Sequence, residues 1–253
     1  MLLEMNVKSK ELGKTTRVNV ILPTDKSESE RPYKTLWLLH GLTDDQTGWT
    51  RNTSIERYAS KYQLAVIMPN VDRSWYTDTA YGSNYFTFVT KELPELCHRT
   101  FQNLSDRRED TLIAGLSMGG YGACKAALTF PEQYGTCISL SGALDVTRKG
   151  RPCNLEEWRS IFGYALQSPL ELEGSRHDLF ALAKENKDMG KVFPKLYLWC
   201  GQEDPLLATN RAFDRHLSEL AVPHAYAESE GDHSWKWWDL HIQNALRWAL
   251  EEQ

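Results

Sequence analysis

The sequence predicts an α/β architecture: a mostly parallel central sheet with helices on both faces and a small cap-like insertion. Three observations carry this. Short, wholly apolar runs such as Thr35–Leu39 (TLWLL) and Leu64–Met68 recur along the chain, with the character of strands covered on both faces. They alternate with stretches of helical periodicity, the rhythm of a parallel sheet wrapped by helices. At Asp110–Phe130 (DTLIAGLSMGGYGACKAALTF) an apolar run passes through a glycine-rich bend straight into an Ala-rich, helix-forming stretch. A chain of 253 residues, 41% hydrophobic and 25% charged, suits one large domain of this kind, so residues 1–253 are expected to form a single unit.

The elements follow in order. Met5–Lys10 and Thr16–Leu22 alternate well enough to open the chain as an antiparallel hairpin at a sheet edge. Asp25–Pro32 is a polar loop, and Thr35–Leu39 is the next strand. A helix is expected over Thr53–Tyr62, then a buried strand over Leu64–Met68, stopped by Pro69. Asn70–Asn84 is a loop of aromatics and turn formers. Tyr85–Phe101 reads as mostly helical, with Pro94 as an interruption or a new first turn. Leu112–Ala114 and Tyr121–Phe130 form the strand and helix about the glycine-rich bend, and Thr136–Leu140 is another buried strand. Residues 145–192 break the rhythm: a basic run (Arg148-Lys149-Gly150-Arg151) and an amphipathic piece (Leu155–Leu166) make a segment longer than a simple crossover needs, read as the insertion. Alternation resumes with a strand at Lys195–Cys200, a helix at Leu206–Leu220, a short strand at His224–Ala227 and a closing helix at Trp235–Leu250.

Composition narrows the partners. A net charge of −5 offers no basic field for nucleic acid or an anionic membrane, and no apolar run approaches the length of a membrane span. The N-terminal stretch MLLEMNVKSKELGK lacks the apolar core of a secretory signal. Five cysteines (Cys97, Cys124, Cys137, Cys153, Cys200) are odd in number and form no C-x-x-C. Three of them lie in expected core elements, which points to reduced, buried thiols and a cytoplasmic location. The sequons at Asn52 and Asn103 then carry no meaning. There is no internal repeat, no H-E-x-x-H or other metal-ligand spacing, no P-loop and no dinucleotide fingerprint, so neither a metal nor a cofactor is expected.

The bend itself carries chemistry. Gly115-Leu116-Ser117-Met118-Gly119 is a G-x-S-x-G at a strand-to-helix junction, the setting of a nucleophile elbow. Such a bend exposes the hydroxyl of a strained Ser while backbone meets backbone at the flanking glycines. The bland alternative, a Gly-rich turn with an incidental Ser, does not explain the strand before and the helix after. A serine hydroxyl is a poor nucleophile unaided and needs an imidazole oriented by a carboxylate. In open parallel sheets these helpers lie on loops after the carboxyl ends of strands. His216 and His241 fall in expected helices, His224 starts a strand and His177 lies in the insertion. That leaves His233, in Glu230-Gly231-Asp232-His233-Ser234 after the last strand. For the carboxylate, the loop Gly201-Gln202-Glu203-Asp204-Pro205 offers two candidates; Asp204 is preferred and Glu203 is the alternative, the other being a solvated loop charge. Oxyanion donors are expected from the backbone N–H groups of Met118, after the nucleophile, and Leu42, in the His40-Gly41-Leu42 loop. His40 is expected to brace that loop rather than to react.

Taken with Trp75-Tyr76-Thr77-Asp78 and Ser141-Gly142-Ala143, these motifs resemble the esterase D-type family of α/β-hydrolases, and within it bacterial tributyrin esterases, from the first strand to the last helix. The resemblance implies an α/β-hydrolase fold, Ser117, Asp204 and His233 as triad, Leu42 and Met118 as oxyanion donors, and short acyl esters as substrates. Relatives often self-associate, so a homo-oligomer is within expectation. Residues 145–192 match least, and selectivity is expected to be set there.

Around the site the loops are aromatic, and Trp49, Trp75, Tyr76 and Trp235 are expected to line the substrate; the alternative is that such rings merely pack the last helix on the sheet. A serine carboxylesterase acting on a small ester follows. On the same triad, feruloyl or acetyl-sugar esters and an S-formylglutathione-type thioester stay open as substrates, with acyl transfer and a non-catalytic binding protein as more distant readings.

Overall fold

The computed structural model describes residues 1–24, 32–147, 155–163 and 165–251. The basic run Arg148–Arg151, Cys153 and most of the polar loop expected at Asp25–Pro32 lie outside the described residues. Among the described residues eight strands form one sheet in the order β1-β2-β4-β3-β5-β6-β7-β8. They are β1 (Leu2–Ser9), β2 (Lys14–Ile21), β3 (Lys34–Leu39), β4 (Leu64–Pro69), β5 (Thr111–Leu116), β6 (Thr136–Leu140), β7 (Lys195–Gly201) and β8 (His224–Ser229). Only β2 runs against its neighbours; β1 pairs with it antiparallel at one edge, and β4 through β8 are parallel. The chain has an α/β-hydrolase fold.

The helices, in chain order, are α1 (Gly48–Asn52), α2 (Ile55–Tyr62), α3 (Tyr85–Thr87), α4 (Leu93–Thr100), α5 (Met118–Thr129), α6 (Leu155–Phe162), α7 (Leu179–Asp188), α8 (Leu207–Glu219) and α9 (Trp235–Leu250). Period-two alternation along the buried strands feeds two separate apolar layers. Leu36 and Leu38 of β3 face Trp49, Ile55, Tyr58, Trp238 and Ile242 from α1, α2 and α9. Trp37 and Leu39 face the other layer, with Phe88, Leu93, Tyr121, Leu179 and Phe213.

Two elements differ from the expectation, and at Pro94 the structure takes the second of the two forms expected. The helix expected over Thr53–Tyr62 is present as α2 from Ile55, and a short helix that was not expected, α1, precedes it, the two separated at Thr53, which is extended. Between α3 and α4 the chain takes a wide π turn over Phe88–Glu92, which brings Pro94 into the first turn of α4, where its missing N–H is least costly. And α7, placed with the insertion, is the crossover between β6 and β7. Its Leu179 and Ala183 are fully buried in the main core, and the Asn186 amide donates to the Leu128 carbonyl of α5 at 2.6 Å. Among the described residues no helix is long and apolar enough to cross a membrane.

Candidate active site

The bend after β5 is strained where a nucleophile elbow should be. Ser117 has φ 52° and ψ −117°, a region that a side chain adopts only when its surroundings force it. Three backbone hydrogen bonds do so: Ser117 N–H donates to Leu140 O at 3.0 Å, and its carbonyl accepts from Tyr121 N–H at 3.1 Å and Ala143 N–H at 3.0 Å. The glycines are there for space. A Cβ on Gly119 would stand 2.7 Å from the His40 carbonyl oxygen and closer still to that of Leu39, so α5 starts in direct backbone contact with the end of β3.

Two loops bring the other groups. His233, beyond β8, sets its Nε2 at 3.0 Å from Ser117 Oγ and its Nδ1 at 2.8 Å from Asp204 Oδ2, beyond β7. An ionised carboxylate only accepts, so Nδ1 carries the proton and Nε2 is left to accept from the serine hydroxyl. Asp204 is buried, and its second oxygen accepts from Leu206 N–H at 2.8 Å. The ring of His233 stands edge-on against Trp238, with centroids 4.9 Å apart, and Trp238 in turn donates to Ser141 Oγ at 3.2 Å.

Glu203, the alternative carboxylate, does something else. Its Oε2 accepts from Gly231 N–H at 2.7 Å, while its own N–H donates to Gly231 O at 3.0 Å. This reciprocal pair ties the carboxylate loop to the histidine loop. It leaves no geometry for Glu203 to orient His233; the residue is exposed, as expected of the carboxylate not chosen, but one of its oxygens is engaged in this tie. Nothing in the local sequence announces it, because the two residues are 28 positions apart.

The loop after β3 is aimed by His40, which is buried. Val71 N–H donates to its Nε2 at 3.1 Å, so the proton is on Nδ1 and goes to Gly41 O at 2.8 Å. In a trans peptide the carbonyl and the following N–H point opposite ways. Holding Gly41 O on one side therefore presents Leu42 N–H on the other. Burial lowers the His40 pKa, outweighing the carboxylates of Asp44, Asp45 and Asp72, so the ring stays neutral as this role requires. Met118 is the first residue of α5, and its N–H has no intrahelical acceptor.

The four aromatics expected to line the substrate are placed less openly. Trp49 is 1% exposed, and its indole N–H donates to Leu39 O at 3.0 Å, bracing the end of β3. Tyr76 is 1% exposed with its hydroxyl on His40 O at 2.9 Å. Trp75 is buried against Trp158 of α6 and Tyr121 of α5. Trp235 is half-buried, edge-on to Trp49 and Trp238. Three of the four are thus supports of the site's walls, because these loops fold inward over the sheet.

A cavity of about 730 Å³ opens at the other end of the sheet, where β7 and β8 begin. It is lined by Lys187, Val192, Pro223 and Trp248 among others, and holds no nucleophile beside a base. Among the described residues no three His, Cys, Asp or Glu side chains are grouped to hold a metal ion.

Known proteins match this chain over nearly its whole length. The family model described as "Putative esterase" covers residues 9–249. An acetyl esterase of Caldicellulosiruptor saccharolyticus is 34% identical, the match spanning 98% of this chain and 97% of that protein. Among solved structures, FphF, a fluorophosphonate-binding serine hydrolase of Staphylococcus aureus, superimposes with a TM-score of 0.91 at 38% identity, covering 99% of this chain and 98% of that one. The S-formylglutathione hydrolase FrmB of the same organism gives 0.88 at 36% identity, covering 99% and 98%.

Proposed function

The chain belongs to the esterase family, a carboxylic ester hydrolase by that membership, and we propose that it hydrolyses short-chain acyl esters with Ser117, His233 and Asp204 as its triad. The observation that carries this is the unbroken run of contacts from Ser117 Oγ to His233 Nε2 (3.0 Å) and from His233 Nδ1 to Asp204 Oδ2 (2.8 Å), set on the strained bend.

In this reading His233 Nε2 takes the hydroxyl proton as Ser117 Oγ attacks the ester carbonyl. The imidazolium that forms is held in place by Asp204, whose second oxygen stays anchored on Leu206 N–H. The developing oxyanion is met by Leu42 N–H and Met118 N–H, both fixed before substrate arrives. His233 then protonates the leaving alcohol. A water, deprotonated by the same imidazole, attacks the acyl-enzyme and frees the acid. Short acyl groups are the reading because Trp75, Trp158, Tyr121 and Tyr76 are buried in the core rather than open to a long chain. The acetyl ester named for the bacterial relative agrees with this. A thioester is the second reading, favoured by the likeness to a S-formylglutathione hydrolase, since an acyl-enzyme forms equally from either leaving group.

Buried thiols at Cys97, Cys124, Cys137 and Cys200, none in a disulfide, support a reducing, cytoplasmic setting. That one sheet takes in all eight strands supports reading residues 1–253 as one domain.

The test is Ser117→Ala, with p-nitrophenyl acetate and butyrate as substrates and a fluorophosphonate as label. Loss of both turnover and labelling, with an unchanged circular dichroism spectrum, is expected. Turnover near that of the parent would overturn the reading. Rates on acetyl, butyryl, feruloyl and S-formylglutathione substrates then rank the classes.

A further inference from the structure

Trp75 and Tyr76 both have positive φ, 51° and 47°. For one bulky aromatic residue the left-handed region is an outlier; for two in succession it needs an outside restraint. The restraint is Lys125, a lone cation in the otherwise apolar α5, 2% exposed. Its ammonium donates to Tyr76 O at 3.0 Å, to Thr77 Oγ1 at 2.8 Å and to His177 Nδ1 at 3.2 Å. All three partners are neutral. Asp78, whose charge bears on Lys125, is engaged by the N–H and hydroxyl of Thr87. Burying an ammonium without a counter-charge is costly: burial, with Arg176 adding to it, pushes the Lys125 pKa down to about 7, and an apolar side chain would pack beside Phe86 and Tyr121 without that cost. What Lys125 does instead is clamp the strained step.

The strained step in turn reaches the site. Gly122 lets the Tyr76 ring lie flat on α5, where any Cβ would run into the ring. So wedged, the phenol hydroxyl holds His40 O at 2.9 Å, in the peptide just before the one that bears Leu42 N–H. Trp75 and Tyr76 are pinned further by Thr77 Oγ1–H on Trp75 O (2.9 Å) and by Tyr76 N–H on Ser74 Oγ (3.2 Å). Lys125 sits two turns along α5 from Ser117, about 12 Å of helix, too far to touch reacting atoms.

We propose that Lys125 is a positioning residue: by clamping the Trp75–Tyr76 step it makes Tyr76 hold the His40–Leu42 loop in the conformation that receives the oxyanion. This rests on Leu42 N–H being an oxyanion donor. The clamp also joins the loop to the segment between β6 and β7, since Tyr121 donates to His177 O at 2.9 Å beside it.

Two variants and their combination test it. Tyr76→Phe removes only the hydroxyl link, and Lys125→Met removes the clamp. Each is expected to lower kcat on p-nitrophenyl acetate by about 10-fold or more, with KM within twofold and fluorophosphonate labelling slowed to match, because the loop is misplaced only where the transition state needs it. The double variant should be no slower than the worse single one, since both cut one path. Losses that multiply, or a kcat within twofold of the parent for either single variant, overturn the proposal. If Lys125→Met does not fold, Thr77→Val, which removes one of the three acceptors of Lys125, takes its place and is held to the same outcomes. An active Ser117→Ala would instead sink the underlying assignment of the site, so the two failures are told apart.

Discussion

Substituting Gly119 by Ala puts the start of α5 in conflict with the end of β3 and the His40–Leu42 loop, and the size of the effect follows from the contacts. The added Cβ would stand 2.7 Å from His40 O, about 0.7 Å short of ordinary contact, and closer still to Leu39 O. Both obstacles are backbone, so no side chain can swing away. Either β3's end or the helix start must shift by more than that amount, because the Leu39 oxygen is nearer, and the shift falls between Leu42 N–H and Met118 N–H. A displacement approaching 1 Å in a catalytic constellation costs up to about 100-fold, so kcat on p-nitrophenyl acetate should fall by roughly 10- to 100-fold. Stability should fall as well. Overpacking costs about 1–3 kcal/mol, while Ala in place of Gly inside a helix returns up to about 1 kcal/mol. The net effect, up to about 2 kcal/mol, lowers Tm by no more than about 8 °C in a chain of this size. Initial rates over a range of substrate, with a thermal melt of the same sample, measure both. A folded Gly119→Ala protein with kcat within twofold of the parent would refute the close-contact reasoning.

Three further outcomes are expected. Asp204→Asn keeps a side chain of the same shape but loses the charge that fixes the His233 tautomer, so kcat should drop on the order of 10³- to 10⁴-fold with KM little changed; a loss under tenfold would remove Asp204 from its role. Glu203→Leu frees Gly231 N–H from its 2.7 Å partner and should lower kcat about fivefold, whereas Glu203→Gln retains an acceptor oxygen and should behave as the parent. Equal losses in both variants would mean that charge, not the tie between loops, matters. Stability should weaken with acid. Burial pushes the pKa of His177 down to about 2, helped by Lys125 and Arg176, and that of His241 to about 4. Both rings stay neutral in the native state while the unfolded chain takes up their protons below about 6.5, so unfolding is favoured as pH falls. Between pH 7 and 5 the loss should be on the order of 3 kcal/mol, read as a lower urea midpoint; a midpoint unchanged over that range would contradict the buried, neutral state of these rings.

Much of this molecule was legible before any coordinates. Buried parallel strands advertise themselves as unbroken apolar runs, so TLWLL and TCISL fell within a residue of β3 and β6. The elbow was legible because steric necessity writes glycine on both sides of Ser117, and His233 and Asp204 because parallel sheets concentrate function beyond strand ends. What stayed hidden depends on contacts distant in sequence. Whether an aromatic in a loop faces solvent or folds inward is not written in its type, which is why Trp49 and Tyr76 were expected at the substrate. The crossover α7 (LFALAKENKD) was merged with the insertion because its apolar face is short and polar residues dominate its second half. Lys125 left a trace, a single cation amid ACKAAL, but its three acceptors come from positions 76, 77 and 177.

The imidazole is carried just past β8, the outermost strand, which pairs only with β7 and is nowhere fully enclosed. Rim strands are the first to fray in a warming protein, well before a buried centre gives way. Enzymatic function here should therefore fade at temperatures where β3 to β6 still protect their amides from exchange. Turnover becomes an early-warning gauge of the sheet's margin, and reinforcing that margin the shortest route to a hardier catalyst.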